Sequence, residues 1–173
     1  MKRIGLLSDT HGFLDEPLLD FLADCDEIWH AGDIGDPMVT DTLAGINTLR
    51  AVHGNIDGPE LRHRYPQDLI FEVEGVKVLM THIGGYPGKY QPRVRALLDR
   101  EQPLLYICGH SHILKVMPDP KRQLLHINPG AAGMSGFHKK RTAVRFTIGG
   151  PEKISRLQVW ELGKGPKGRM MHI

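Results

Sequence analysis

The chain has 173 residues, 22 Lys and Arg against 20 Asp and Glu for a formal net charge of +2, and 40% hydrophobic residues. One compact domain of this size buries roughly 70% of the surface its unfolded chain exposes, enough for a core without disulfides or structural metals. Interspersed charge excludes a polyanion-binding basic stripe, ordinary hydrophobic content excludes disorder, and no apolar run approaches the roughly 18 residues of a membrane span.

The first apolar run, Ile4–Leu7, stops at Ser8-Asp9. It is too short for the roughly 7–15-residue apolar region of a secretory signal. Cys25 and Cys108 lack the spacing of a metal or disulfide framework and fit a reducing compartment, so a cytoplasmic protein is expected. Further short runs, Glu27–Trp29, Leu49–Val52, Val76–Met80 and Leu104–Cys108, read as buried strands. Between the early ones lie helical patterns at Phe13–Ala23 and Pro37–Ala44, with Pro17 and Pro37 near the first turns, where a missing N–H costs little. Alternating strand and helix predicts a parallel α/β sheet.

The second half changes character. Gln67–Glu74 and Val76–Met80 flank Gly75 as a hairpin, and Pro92–Arg100 predicts a short helix. Ile113–Met117, Gln123–Ile127, Thr142–Ile148 and Lys153–Trp160 predict a β-meander with turns at Pro118-Asp119-Pro120 and Gly149-Gly150-Pro151. The fold class is therefore α/β, with two packed mixed sheets flanked by helices in one domain over residues 1–162. The Gly- and Lys-rich residues 163–173 are expected to form a flexible tail.

Each of the five apolar runs ends in potential metal ligands: Asp9 and His11, Asp33, Asn55, His82, then His110 and His112. Residues just past the carboxyl ends of parallel strands converge on one crevice. In Asp9-Thr10-His11 and His110-Ser111-His112 the i, i+2 spacing puts both outer side chains on one face of an extended segment. Two carboxylates, one amide and four imidazoles without a thiolate favour manganese, iron, nickel, cobalt or zinc. Seven donors exceed the four of a closed structural zinc site, so two divalent ions sharing one carboxylate fit better, with glycine-flanked Asp33 the natural bridge. Two such ions would generate a bridging hydroxide at neutral pH for in-line attack on phosphorus, which is phosphoester hydrolysis.

The blocks Asp9-Thr10-His11, Gly32-Asp33-Ile34-Gly35-Asp36, Gly54-Asn55-Ile56-Asp57, Thr81-His82 and Gly109-His110-Ser111-His112 resemble, in order, those of the calcineurin-like metallophosphoesterases. The short chain and Asn128-Pro129-Gly130-Ala131 resemble the small single-domain phosphodiesterase branch, which usually has Ser where Ala131 stands. The resemblance covers about residues 2–160. It implies a four-layer α/β/β/α sandwich, one ion on Asp9, His11, Asp33 and His112, and a second on Asp33, Asn55, His82 and His110. By analogy alone it adds a homodimer, with the oligomeric state left open.

One departure bears on chemistry. Larger members carry His inside the third block, and the small branch commonly has Cys, whereas this chain has Ile56. A placed general acid is typically worth about 10²–10⁴-fold, so a small, activated phosphodiester is expected to be a better substrate than an alkyl monoester. Asp57 is a candidate to orient a ligand histidine or, equally, a turn residue before Gly58-Pro59. His53 is a candidate phosphate contact or substitute acid, against a packed strand-end histidine. His30 is expected to be buried on backbone partners, and His138, in His138-Lys139-Lys140-Arg141, to lie in a solvated turn. A rival function is a protein-interaction scaffold, which relatives of this fold supply in membrane-trafficking complexes. A nuclease would need a polyanion path that the +2 balance does not provide.

Overall fold

A computed structural model describes residues 1–164 and 170–172. β1 (Lys2–Leu7), α1 (Glu16–Leu22), β2 (Glu27–His30), α2 (Pro37–Ile46), β3 (Thr48–Ala51) and α3 (Pro59–Arg64) form the first half. The hairpin of β4 (Asp68–Val73) and β5 (Val76–Thr81), the small pair β6 (Gly85–Tyr86) and β7 (Lys89–Tyr90), α4 (Pro92–Glu101) and β8 (Leu105–Ile107) follow. The chain closes with β9 (Leu114–Asp119), β10 (Leu124–Pro129), β11 (Lys140–Ile148), β12 (Ile154–Gly163) and β13 (Met170–His172).

Two mixed sheets pack face to face, ordered β13-β12-β11-β1-β2-β3 and β4-β5-β8-β10-β9. Ile4, Leu6, Trp29, Val78, Met80, Ile107, Val144 and Phe146 fill the space between them. α1, α2 and α3 cover the outside of the first sheet through Leu18, Leu22, Val39, Leu43 and Leu61, and α4 covers the second through Val94 and Leu98. This is the expected layered sandwich. Every helix has Pro in its first turn. α1 begins at Glu16 rather than Phe13 because Asp15 caps it, accepting from the Leu18 N–H, and also binds Arg141 through both oxygens at 2.7 and 2.9 Å.

The four C-terminal strands do not form one meander. β9 and β10 complete the second sheet, and the chain then crosses to the first, where β11 lies antiparallel to β1. The reason is burial on both faces. Val144, Phe146 and Ile148 enter the inter-sheet core, while Ala143 packs under the helices, so β11 belongs in the middle of a covered sheet. It also pairs the edge that β1 would otherwise expose. Of the tail expected to be flexible, residues 165–169 and 173 lie outside the described residues, while Met170–His172 pairs with Trp160–Leu162.

The topology aims the site. β1, β2 and β3 are parallel neighbours, as are β5 and β8 in the facing sheet, so the loops that leave them open at one end of the sandwich.

Candidate metal centre

Asp9 and His11 follow β1, Asp33 follows β2, Asn55 follows β3, His82 follows β5, and His110 and His112 follow β8. The structure gathers them. Ligand atoms of Asp9, His11 and His112 lie within 4.8 Å of one another, and so do those of Asp33, His82 and His110. Asp33 Oδ2 stands between the groups, 3.2 Å from His82 Nε2 and 3.5 Å from His11 Nε2. Asp9 Oδ1 is 3.2 Å from His112 Nε2 and 3.7 Å from His82 Nε2. Asn55 Oδ1 sits 3.1 Å from His110 Nδ1 at the exposed mouth, whereas Asp9, Asp33 and His82 form a buried floor.

Both flanking pairs converge by a different local geometry from the extended segments expected. Asp9, His11, Asp33, His110 and His112 all have positive φ, between 47 and 70°. Left-handed backbone costs a non-glycine residue roughly 1–2 kcal/mol, and it persists only where surroundings over-determine it. Here backbone bonds stitch the loops together: Asp9 N to Gly32 O at 2.9 Å, His11 N to Asp33 O at 3.1 Å and Gly109 N to His82 O at 3.0 Å. The glycine before each of three of these residues clears space for other side chains of the site, Ser8 among them at Gly109. A Cβ at Gly32 would strike His82, at Gly54 Asp33, and at Gly109 Asp9.

The donor set suits a cation. Asp9 Oδ2 accepts from Ser8 Oγ at 2.7 Å and the His110 N–H at 3.1 Å, while buried Asp9 Oδ1, His11 Nε2 and His82 Nε2 have no hydrogen-bond partner among the described residues. An unpaired buried polar atom costs about 1–3 kcal/mol, a cost a divalent ion coordinated there would remove. Burial alone would push the Asp9 carboxyl up, but the imidazoles of His112 and His82 and the Ser8 hydroxyl outweigh it and hold it below its ordinary value. Asp33 is lowered likewise, burial being overcome by His82. Burial opposes charge on His82, yet Asp33 and Asp9 hold its pKa above the usual value, so a proton on His82 and a metal ion are competing ways to balance the same carboxylates. His82 Nδ1 is 2.8 Å from the Ala31 carbonyl, which places a hydrogen on Nδ1 and aims Nε2 into the site.

The other candidates take different places. Asp57 meets no imidazole: its carboxylate accepts from the N–H groups of Gly54 at 2.8 Å, Gly35 at 2.8 Å and Ile34 at 3.1 Å, tying the Asp33 and Asn55 loops together. Asp57 is thus a turn residue, its N–H closing on the Gly54 carbonyl at 3.3 Å, and its buried carboxylate is satisfied by three amides rather than by a ligand imidazole. His53 stands outside the cluster, its Nδ1 2.8 Å from Tyr65 O, beside a cavity of about 170 Å³ that it lines with Asn55, Arg62, His82 and Arg93. His30 is buried as expected, between Thr10 Oγ1 and the Gly32 N–H, and burial takes its pKa down to about 4. Cys25 and Cys108 are thiols buried in the core, and burial pushes both up to about 11.

Sequence reasoning missed Arg62 and, although it singled out the Asn128-Pro129-Gly130-Ala131 segment, gave the Asn128 side chain no role. Arg62 donates to the carbonyls of Asp57 at 2.6 Å, Asn55 at 3.2 Å and Gly54 at 3.3 Å, bracing the Asn55 loop. Its helix, α3, has only six residues, too few to show a periodicity, although Gly58-Pro59 was a usable start signal. Asn128 Nδ2 donates to Gly109 O and Ser111 Oγ, both at 3.0 Å, so its side chain holds the His110–His112 turn. His138 is not a solvated turn residue: it is half-buried, its Nδ1 3.1 Å from His112 Nδ1, because the 133–138 loop folds back over the site.

A family model described as the calcineurin-like phosphoesterase superfamily domain matches residues 1–150. A probable metallophosphoesterase of Methanocaldococcus jannaschii is 32% identical over 135 residues, which cover 74% of this chain and 67% of that protein. Among solved structures, Vps29 of Chaetomium thermophilum superposes with a TM-score of 0.78 at 15% identity, over 100% of this chain and 95% of its own. A structure described as a novel archaeal phosphodiesterase superposes with a TM-score of 0.68 at 20% identity, over 99% of each chain. At these identities the two structures establish the fold.

Proposed function

Because this chain belongs to the calcineurin-like phosphoesterase superfamily, we propose that it is a phosphodiesterase that works with two divalent metal ions. The observation that carries the reading is the pair of ligand groups, Asp9-His11-His112 and Asp33-His82-His110, with Asp33 Oδ2 between them. One ion is assigned to Asp9, His11, Asp33 and His112, the other to Asp33, Asn55, His82 and His110. The all-nitrogen-and-oxygen set suits manganese, nickel, iron or zinc. When bound, such ions supply an activated water for in-line attack and neutralise charge developing at phosphorus.

The chain's own residues do the rest. Asp9 and Asp33, held ionised below their ordinary pKa, fix the negative charge that the cations balance. Ser8 and the His110 N–H orient Asp9, the Ile56 N–H holds Asp33 Oδ1 at 3.1 Å, and Asp57 and Arg62 lock the loop that carries Asn55. No imidazole occupies position 56: the Ile56 side chain, 47% exposed, offers no proton to a departing alkoxide. Small diesters with good leaving groups therefore fit the site better than alkyl monoesters.

The test is hydrolysis of bis-p-nitrophenyl phosphate and p-nitrophenyl phosphate by metal-stripped protein, refilled separately with Mn, Ni, Zn or Mg, beside Asp33→Ala. Cleavage of the diester only with metal, and only by the unmutated protein, supports the reading. Faster cleavage of the monoester overturns the diester preference. Ile56 favours a second reading, a metal-binding protein-interaction scaffold, and two bound ions with neither ester cleaved would select it.

A further inference from the structure

His138 lies in the loop between β10 and β11, over the open end of the sandwich. Its Nε2 is 2.9 Å from the Gly133 carbonyl, and a carbonyl only accepts, so Nε2 carries the hydrogen. In the neutral ring Nδ1 is then an acceptor. It faces His112 Nδ1 at 3.1 Å, the rings nearly perpendicular at 78° with centroids 4.9 Å apart. One hydrogen must lie between those nitrogens, and only His112 can supply it. The His112 proton is thereby placed on Nδ1, and the Nε2 lone pair points toward Asp9 Oδ1, 3.2 Å away.

The loop is shaped for this contact. Gly133 N donates to Asp9 O at 3.1 Å, anchoring the loop's start beside the first ligand. Gly136, at φ 120°, passes against both rings, and a Cβ there would strike His112 Nδ1. On the other side of the centre the Ala31 carbonyl does the same for His82 Nδ1. There the partner is main chain, fixed whatever the sequence. Opposite His112 it is a side chain that substitution can remove.

We propose that His138 is a positioning residue that accepts the His112 Nδ1 hydrogen, fixes the tautomer and orientation of that ring, and so sets the affinity of the ion assigned to Asp9, His11 and His112. The inference rests on the two-ion reading above. Loss of such an outer partner typically weakens metal binding about 10–100-fold.

Asparagine and glutamine separate positioning from loop bracing. Asn Oδ1 falls where His Nδ1 was, keeping the acceptor and losing the bond to Gly133, while Gln Nε2 falls where His Nε2 was, keeping that bond and losing the acceptor. Metal-stripped wild type, His138→Asn and His138→Gln are titrated with cobalt(II), following stoichiometry by equilibrium dialysis and ligand-field absorption of the bound ions. The expected result is a wild-type-like His138→Asn and a His138→Gln in which one ion of two binds about 10–100-fold more weakly with an altered spectrum. A His138→Gln with both affinities unchanged overturns the proposal, as does a His138→Asn weakened as much as or more than His138→Gln, which would mean loop bracing alone. Wild type that takes up one ion overturns the two-ion reading, and the Asn-against-Gln comparison then decides the proposal on that ion. Wild type that takes up none overturns both.

Discussion

Replacing Gly32 by alanine adds one methyl group where two separate constraints forbid it. Gly32 has φ +98°, and its Cβ would lie 2.6 Å from His82 Nδ1 and 2.7 Å from His82 Cβ and Cγ. An ordinary contact begins near 3.4 Å, so the ring must retreat by about 0.8 Å. It cannot do so freely: His82 is 3% exposed and its Nδ1 is held by the Ala31 carbonyl at 2.8 Å. The strained backbone costs about 1–3 kcal/mol and overpacking about 1–3 kcal/mol more, so a loss of about 2–6 kcal/mol in urea unfolding is expected. A displacement near 1 Å at a catalytic group can cost about 10²-fold, which sets the expected drop in metal-dependent diester hydrolysis. Gly45→Ala is the control, because nothing lies within 4 Å of a Cβ at that exposed helical position. It should gain about 0.5–1 kcal/mol and leave hydrolysis unchanged. A Gly32→Ala protein as stable as wild type, with metal uptake and turnover intact, would refute the reasoning that the glycine exists to admit His82.

Further predictions concern charge, leaving group and metal. Glu27 is 2% exposed, bound by Lys2 at 2.9 Å, Arg50 at 2.8 Å and Trp29 Nε1 at 3.0 Å. Burial opposes its charge, but these partners win and take its pKa to about 2. Because the folded value lies below the unfolded one, Glu27 stabilises fully above about pH 4.5, by about 3 kcal/mol, and the benefit fades as pH falls toward 2. Urea unfolding should therefore show wild type and Glu27→Gln about 3 kcal/mol apart at pH 7 and about half that at pH 3; a constant gap would count against the account. Ile56→His supplies a proton donor beside Asn55 and should raise kcat about 10-fold or more on an alkyl phosphodiester while changing an aryl one little. An equal change on both esters would show that leaving-group protonation is not what Ile56 lacks. Stripping divalent metal should lower the thermal midpoint: an ion held at about 100 times its Kd contributes about 2.7 kcal/mol, or about 5–10 °C for a chain this long. An unmoved midpoint in Mn-saturated against chelated protein would argue that the carboxylates and imidazoles hold no ion.

Much of the site was legible because its signals are local. A strand-forming run ending in Asp, Asn or His, five times over, states both where a candidate ligand sits and on which end of a parallel sheet, and the structure brings the residues named on that ground together. The same runs fixed the layers, since strands buried on both faces require helices outside them. What stayed hidden depends on contacts far apart in sequence. Nothing near Thr142 tells that β11 will enter beside β1, where Arg145 pairs with Gly5, 140 residues earlier, because the choice is made by which sheet edge remains uncovered. The left-handed backbone at Asp9, His11, Asp33, His110 and His112 violates local preference and is imposed by the loops that interlock around it.

The amino-acid sequence by itself named the candidate donor set, the strands that deliver it and the chemistry such donors favour, because hydrophobic period and residue type are properties of short segments. Only the tertiary structure decided how that set is held. Asp57 on three amides, Arg62 on three carbonyls and His138 on His112 are unions of distant segments, formed because buried polar groups must find partners wherever packing brings them.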